Sequence, residues 1–282
     1  MRRDCWVAGA GVRIRALLLI GLWVLRWPAS AGEEGPNPLT STPSLGKGSD
    51  QTYPVRWLPG AKLELDGQPS ESAWQQAKVE EHFVSPWKKE AAPPTEFRAV
   101  CDGTNLWFAF RVHDADVVVL DKLRDKEDEV FEDRVEVYFS RDEQLKDYFC
   151  FEVDSRGRVF DYRGSFYRKL DTKWHFDGLE AKGRPTEDGY EVEGRIPLKS
   201  FEVMGFPAVR PGTKIRCGLY RAEFSHDRSG RVVEQKTSLH NLGRKVEGPP
   251  PIEEWISWVD PKLKEPDFHV PETFGWLEFE GR

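Results

Sequence analysis

The chain has 282 residues, of which 32% are charged, and its formal net charge is −7. This acidic balance argues against a nucleic acid as the partner, because proteins that bind nucleic acids present clustered positive charge to the phosphates. The length is sufficient for one sizeable hydrophobic core.

The first 31 residues have the pattern of a secretory signal peptide. Four arginines precede an apolar run at residues 16–25, and Ala29 and Ala31 form a small-x-small cleavage site. The apolar run is too short to span a bilayer, which takes about 20 residues, so a membrane anchor is the weaker interpretation. We expect cleavage after Ala31 and export to the periplasm or the extracellular space, with no membrane span.

Residues 32–56 are rich in Gly, Pro, Ser and Thr and contain little to bury, which is typical of a flexible tether. A single domain is expected to follow at residues 57–280. A short helix is predicted near its start, at 70–77. Ser70 can cap this helix, and Trp74 and Ala77 share one of its faces.

Short stretches in which apolar and polar residues alternate predict β-strands along most of this domain. A hairpin is predicted from strands at 97–101 and 106–112, around turn residues 102–105. Further predictions are a short strand at 117–120, a charged loop or helical turn at 121–129, and strands at 174–182, 190–196, 215–224 and 274–279. Such a pattern, with Gly and Asp turns, indicates an all-β domain, an antiparallel β-sandwich of jelly-roll-like type.

The most regular alternation lies at residues 131–163, where two long strands and the start of a third are predicted. A symmetric hairpin places Val137 opposite Phe151 and Glu136 opposite Glu152. Like charges directly opposite each other are destabilising. A cation, a neighbouring arginine or a ligand rich in hydroxyl groups should therefore compensate them, and the face that presents the two glutamates is the predicted functional face. The predicted buried face consists of Val135, Val137, Phe139, Phe149, Phe151 and Val153.

Cysteine and histidine patterns give no metal or redox motif. The cysteines outside the signal peptide lie in strand-like stretches, so they are expected to be small buried residues, and the six histidines are scattered. An acidic cluster offers oxygen ligands for calcium, although a solvated loop explains it as well. The cysteines are Cys101, Cys150 and Cys217, and the acidic cluster is Asp114, Asp116, Asp121, Asp125 and Asp128.

Five groups of motifs, in order along the chain, resemble the family 9 carbohydrate-binding modules and their relatives. They are residues 65–67 with 71–77, residues 95–114, residues 133–139, residues 191–197, and residues 257–261 with 274–277. The resemblance covers nearly all of the predicted domain. It implies a non-catalytic β-sandwich that binds sugar, often attached to or working beside glycoside hydrolases, with structural calcium in some relatives.

The better-described sites of that family hold a terminal sugar between two aromatic rings, while carboxylate, amide and guanidinium groups bind its hydroxyls. The resemblance puts the rings at Phe131 and Phe268 and the carboxylate at Glu136. Tyr220 stands where those modules carry an amide, and Glu152 stands where they carry an arginine. Phe in place of Trp gives smaller platforms, and Glu in place of Arg reverses a charge. Trp87 and Trp174 are further aromatic residues in loop-like stretches.

Two other functions fit parts of the sequence. Glu136 and Glu152 can be assigned as the acid and the nucleophile of a retaining glycosidase, whose carboxyl groups lie about 5 Å apart, but an open sheet face lacks an obvious cleft. Related sandwiches carry haem, which needs Met or His ligands. Met204 is the only methionine after the signal peptide, and no histidine stands in a matching context.

Overall fold

The computed structural model describes residues 46–225 and 252–281. The predicted signal peptide and residues 32–45 of the predicted tether lie outside these ranges. The strands are β1 Thr52–Trp57, β2 Thr95–Cys101, β3 Asn105–His113, β4 Arg134–Ser140, β5 Tyr148–Asp154, β6 Val159–Ser165, β7 Lys169–Asp171, β8 Glu180–Thr186, β9 Gly189–Pro197, β10 Lys214–Ser225, β11 Ile252–Ser257 and β12 Gly275–Phe279. One helix, α1 at Leu198–Val203, and 3₁₀ turns at Trp74–Gln76, Lys126–Phe131 and Pro271–Thr273 complete the regular structure of these ranges.

The strands form one curled sheet in the order β7-β6-β5-β4-β10-β12-β1-β2-β3-β9-β8, with β11 paired to β10. Its two arms pack against each other, since the Phe108 ring on β3 lies 5.1 Å from the Phe151 ring on β5. The all-β prediction is confirmed. The sheet is mixed rather than antiparallel, because β1 runs parallel to both of its neighbours, and its strand order does not clearly trace a jelly roll.

Strand β1 occupies residues that the sequence assigned to the tether. Tyr53 and Val55 are fully buried on alternate positions of this strand. The Tyr53 hydroxyl accepts a hydrogen bond from the Ala99 N–H at 2.7 Å and donates one to the Lys78 carbonyl at 2.6 Å. The predicted tether is therefore wrong at residues 52–56, because polar neighbours concealed a short strand.

Three further predicted elements are wrong, in each case because carboxylate side chains accept hydrogen bonds from backbone N–H groups of the segment. The helix predicted at 70–77 shortens to Trp74–Gln76, with the Glu71 carboxylate accepting from the Ser70 and Glu64 N–H groups. Residues 117–120 form no strand, since the N–H groups of Val118 and Leu120 donate to carboxylates. The strand predicted from residue 174 begins only at Glu180, after the Phe176 N–H donates to the Asp161 side chain at 2.6 Å.

The register predicted for the central hairpin is confirmed. Val137 pairs with Phe151, and Glu136 pairs with Glu152. The turn after β5 closes with the Gly157 N–H donating to the Asp154 carbonyl at 3.0 Å. All six residues of the predicted inner face lie in the main core. The three cysteines are buried and unpaired, as expected.

The opposite faces of the strands are less open than the sequence suggested. Tyr138 and Cys150 are buried beneath residues of the 260–274 loop, including Phe268 and Phe274, in a second apolar cluster. Glu193, a charged residue in the alternating segment of β9, is fully buried, and its Oε2 accepts hydrogen bonds from the N–H groups of Asp66 and Gly67. Both departures arise because an irregular segment covers an outer sheet face. None of the helices in the described residues is long and apolar enough to cross a membrane.

Candidate functional site

A cavity of about 330 Å³ lies on the outer face of the central hairpin. Its floor comes from β4, β5 and β6, and its walls come from β11, from the turn between β6 and β7, and from the 260–274 loop. Exposed Leu170 and Pro266 belong to its lining, whereas Glu136 and Glu152 on the sheet are buried. The outer face predicted to carry the function is therefore the floor of a pocket.

Arg134 compensates the two facing glutamates. Its Nε donates to Glu152 Oε2 at 2.5 Å, and its Nη2 lies 3.0 Å from Glu136 Oε1. All three side chains are almost fully buried. The attraction between the guanidinium and the two carboxyl groups offsets the free-energy cost of removing these groups from water. A neighbouring arginine was one of the three compensating groups that the sequence led us to expect, and this expectation is confirmed.

Two tyrosines complete the network on the sheet. The Tyr138 hydroxyl donates to Glu136 Oε2 at 2.7 Å, and the Tyr162 hydroxyl lies 2.9 Å from Glu152 Oε1 and 2.7 Å from the Tyr138 oxygen. Glu136 Oε1 is buried without a hydrogen-bond partner, and its contact with Arg134 Nη2 at 3.0 Å is an ion pair. Burial, followed by the charge of Glu152, raises the pKa of Glu136 to about 8.

A second charged pair lies at the wall of the cavity. Arg168 donates to Asp267 Oδ1 at 2.9 Å, and the Tyr167 hydroxyl donates to Asp267 Oδ2 at 2.6 Å. Burial opposes ionisation of Asp267, but Arg168 and the hydrogen bonds from the Tyr167 hydroxyl and the His269 backbone N–H outweigh it and lower the pKa of this carboxyl. Burial and Arg168 lower the pKa of His269 to about 3, so the imidazole is neutral at physiological pH, and its Nδ1 lies 2.9 Å from the Tyr148 hydroxyl.

Some aromatic residues of the predicted site line the cavity, and others are buried behind its lining. Phe268 lines the cavity, but one of its faces stacks on Tyr220 at a centroid distance of 4.1 Å. Tyr220 and Phe131 are buried in the adjacent apolar cluster and do not line the cavity. Of the five predicted residues, Glu136, Glu152 and Phe268 therefore meet at the cavity, and the other two support it from behind.

Sequence patterns did not indicate four further residues that line the cavity, namely Trp255, Phe160, Arg168 and Asp267. Trp255 is half-buried and meets Phe268 edge to face at 5.5 Å. Apolar and polar residues do not alternate in the segment Ile252–Ser257, so alternation did not indicate this strand. Arg168 and Asp267 lie far apart in the chain in irregular segments, where alternation gives no information.

The remaining candidates belong to packing. Trp87 packs on Phe268 at 6.0 Å, and Trp174 packs on Phe149 at 5.3 Å. Met204 belongs to the main core and also lines a second cavity, together with Trp174 and His175.

Three carboxylates outside the cavity are spaced to hold a metal ion. Oxygens of Asp114, Asp133 and Glu223 all lie within 4.8 Å of one another. Asp114 Oδ2 is buried without a hydrogen-bond partner, and burial and Glu223 raise the pKa of Asp133 to about 9. A hard cation such as calcium fits this all-oxygen set, since it would neutralise the excess negative charge. Only Asp114 of the predicted acidic cluster belongs to this group.

Comparisons with known proteins agree with these features. The model of the carbohydrate family 9 binding domain-like family matches residues 65–243. A proposed carbohydrate-binding protein from Bacteroides uniformis ATCC 8492 has a similar structure, with 19% sequence identity, a TM-score of 0.60, and coverage of 82% of this chain and 100% of that chain.

A family 9 carbohydrate-binding module from Caldicellulosiruptor kristjanssonii is also similar in two complexes. The complex with glucose has 15% identity, a TM-score of 0.50, and coverage of 82% of this chain and 97% of that chain. The complex with cellotriose has 16% identity, a TM-score of 0.51, and coverage of 82% and 95%. No curated protein matches the chain. Because the family model spans more than half of its length, the chain belongs to the carbohydrate family 9 binding domain-like family.

Proposed function

We propose that this protein binds carbohydrate without catalysis, and that the cavity on the outer face of the central hairpin is its binding site. The observation that carries the proposal is a half-buried tryptophan ring, Trp255, beside a rigid network of charged groups in one cavity. Pyranose rings need an apolar face for their C–H groups and fixed acceptors and donors for their hydroxyls. Membership of the family and the complexes of the similar module with glucose and cellotriose support the same conclusion.

The contacts of the glutamates favour binding over hydrolysis. Glu152 has both oxygens engaged, one by Arg134 and one by Tyr162. A nucleophile that attacks a sugar carbon needs an oxygen directed at the substrate. Glu152 therefore has no oxygen left for attack, and Glu136 Oε1, which accepts no hydrogen bond within the protein, can accept one from a sugar hydroxyl.

We also propose that the protein is exported and supports polysaccharide breakdown by glycoside hydrolases. The proposal rests on the signal-peptide pattern of residues 1–31 and on the family resemblance. Mass spectrometry of secreted material tests the export step. A mature N-terminus at or near Gly32 is expected, and an intact Met1 would contradict it.

Isothermal titration of the full chain with glucose, cellotriose and a panel of other oligosaccharides tests the binding site. Trp255→Ala and Phe268→Ala should each weaken the binding of any sugar that binds by about 1–3 kcal/mol, because each removes an aromatic contact. Glu136→Gln should weaken it as well above pH 8, where the Glu136 carboxylate is ionised, because a charged acceptor gives the stronger hydrogen bond. Phe131→Ala tests whether the ring pair implied by the family extends to this residue.

Trp276→Ala is the matched control. Trp276 is also half-buried, but it lies on β12 beneath the Arg216 guanidinium and does not line the cavity. It should leave sugar affinity unchanged. Equal losses of sugar affinity in Trp255→Ala and Trp276→Ala would mean that the binding site lies elsewhere. If no sugar binds, the proposed function is overturned.

A further inference from the structure

With every carboxyl group ionised, the described residues that line the cavity carry more negative than positive charge. Three carboxylates and two guanidinium groups belong to its lining. They come from Glu136, Glu152 and Asp267 and from Arg134 and Arg168. The other titratable groups do not compensate: burial lowers the pKa of His269 to about 3 and raises the pKa values of Tyr138 and Tyr162 well above 10, so all three are neutral.

The carboxyl group without a matching guanidinium is Glu136, and burial and the charge of Glu152 raise its pKa to about 8, so it holds a proton at pH 7 in the free protein. Arg168 forms an ion pair with Asp267 at 2.9 Å. Among the described residues of the lining, the two glutamates on the sheet therefore share one guanidinium group, that of Arg134. Its Nε is directed at Glu152, and Glu136 Oε1 remains buried without a hydrogen bond. A buried carboxylate oxygen in this condition is costly unless a ligand supplies the donor.

We propose that the cavity prefers a sugar that carries a free amino group over its neutral counterpart, with the ammonium group bound at Glu136 Oε1 and the pyranose ring against Trp255. The inference rests on the proposed function, because it names the class of sugar for the same site. An ammonium group combines the missing donor and the missing positive charge, whereas a hydroxyl supplies only the donor.

The surroundings of Glu136 suit a cation. Arg134 connects the two proposed contacts, since its guanidinium lies 5.7 Å from the Trp255 ring and 3.0 Å from Glu136 Oε1. An aromatic face next to a carboxylate attracts positive charge from both sides. The raised pKa of Glu136, about 8, is consistent with this shortage of positive charge, and a bound ammonium group would lower it. Binding of the amino sugar should therefore release protons.

Titration calorimetry of the full chain with glucose, glucosamine and N-acetylglucosamine, at pH 7 and in two buffers of different ionisation enthalpy, tests the inference. Glucosamine should bind about tenfold more tightly than glucose, as expected for one charge-assisted hydrogen bond. N-acetylglucosamine should lose this advantage, because acetylation removes the charge. The two buffers should report proton release with glucosamine alone.

Glu136→Gln should abolish the preference and the proton release. Exposed Glu187→Gln, in the turn between β8 and β9, is the matched control and should retain both. Thermal unfolding checks that each variant is folded, and if Glu136→Gln does not fold, the proton release of the unmodified chain still decides. Equal affinities for glucose and glucosamine would overturn the inference and leave the proposed function standing. Failure of every sugar to bind would overturn both.

Discussion

Phe151 shows how far a single residue could be interpreted from the sequence. Alternation and a symmetric hairpin placed it on the inner face, and the structure buries it fully among Phe108, Phe139 and Phe176. Phe151→Ala should lower the free energy of unfolding by about 3–5 kcal/mol, because it leaves a cavity between the two arms of the sheet. Urea denaturation measures this loss.

Val203→Ala is the control for that substitution. Val203 is 66% exposed on α1, so removing its methyl groups should change the free energy of unfolding by less than about 0.5 kcal/mol. A loss under about 1 kcal/mol for Phe151→Ala would contradict the packing described for the main core.

Glu193 should make stability depend on pH. Burial raises its pKa to about 7, although the N–H groups of Gly67 and Asp66 partly oppose this, so the folded state binds the proton more tightly than the unfolded state. The contribution is complete below the unfolded pKa, near 4.5, and is lost as pH rises through 7. The free energy of unfolding should therefore fall by up to about 3 kcal/mol between pH 5 and pH 8 through this residue.

Glu193→Gln tests this contribution, because glutamine does not ionise in that range. Denaturation at several pH values should show a flatter profile than that of the unmodified chain. Glu187→Gln, at an exposed turn position, should leave the profile unchanged. A profile for Glu193→Gln that parallels the unmodified chain would show that Glu193 ionises normally.

At the scale of elements, the two arms of the sheet meet where the turn after β5 crosses β8. A Cβ at Gly183 would lie 2.4 Å from the Gly157 nitrogen and 2.5 Å from the Ser155 oxygen. Both are backbone atoms that cannot rotate away. Gly183→Ala should therefore lower the free energy of unfolding by about 1–3 kcal/mol.

Gly281→Ala serves as the reference for that change, since a Cβ at Gly281 meets nothing within 4 Å. The midpoint of denaturation should be unaffected by it. Equal midpoints for the two variants would mean that the turn and β8 do not approach as closely as described.

Elements with strong alternation and clear turns were predictable, and elements fixed by distant partners were not. The β4–β5 hairpin was predicted with its register, because its own residues determine both faces. Strand β1 was missed because Tyr53 and Val55 become inner residues only when β12 arrives from the far end of the chain. Only part of the cavity lining was predicted, for the same reason. Glu136 lies on the predicted hairpin, whereas Asp267 reaches the cavity from a loop.

At the scale of the whole molecule, the carboxylates of Asp114, Asp133 and Glu223 predict a response to calcium. They come from the ends of β3 and β10 and from the approach to β4, so an ion shared among them would connect distant parts of the chain. Calcium at a hundredfold excess over its Kd should stabilise the fold by about 2.7 kcal/mol. Thermal unfolding with calcium and with a chelator measures the shift.

Asp114→Asn should remove that shift, because it takes away the carboxylate whose Oδ2 has no hydrogen-bond partner. Asp177→Asn, at an exposed position before β8, should keep it. Arg221 Nε donates to Glu223 Oε2 at 2.9 Å. An unchanged melting temperature on calcium addition would mean that protons and Arg221, rather than a metal ion, hold the three carboxylates together.

The parallel pairing of β1 with β12 also has a mechanical consequence. Pulling on Thr52 and Phe279 in opposite directions would slide the two strands along each other, because their equivalent ends lie on the same side. In this shear geometry the hydrogen bonds of the pair share the load and must break together, whereas in an unzipping geometry they break one at a time. A force that enters the domain at Thr52 and leaves it at Phe279 would therefore be resisted by the whole strand pair.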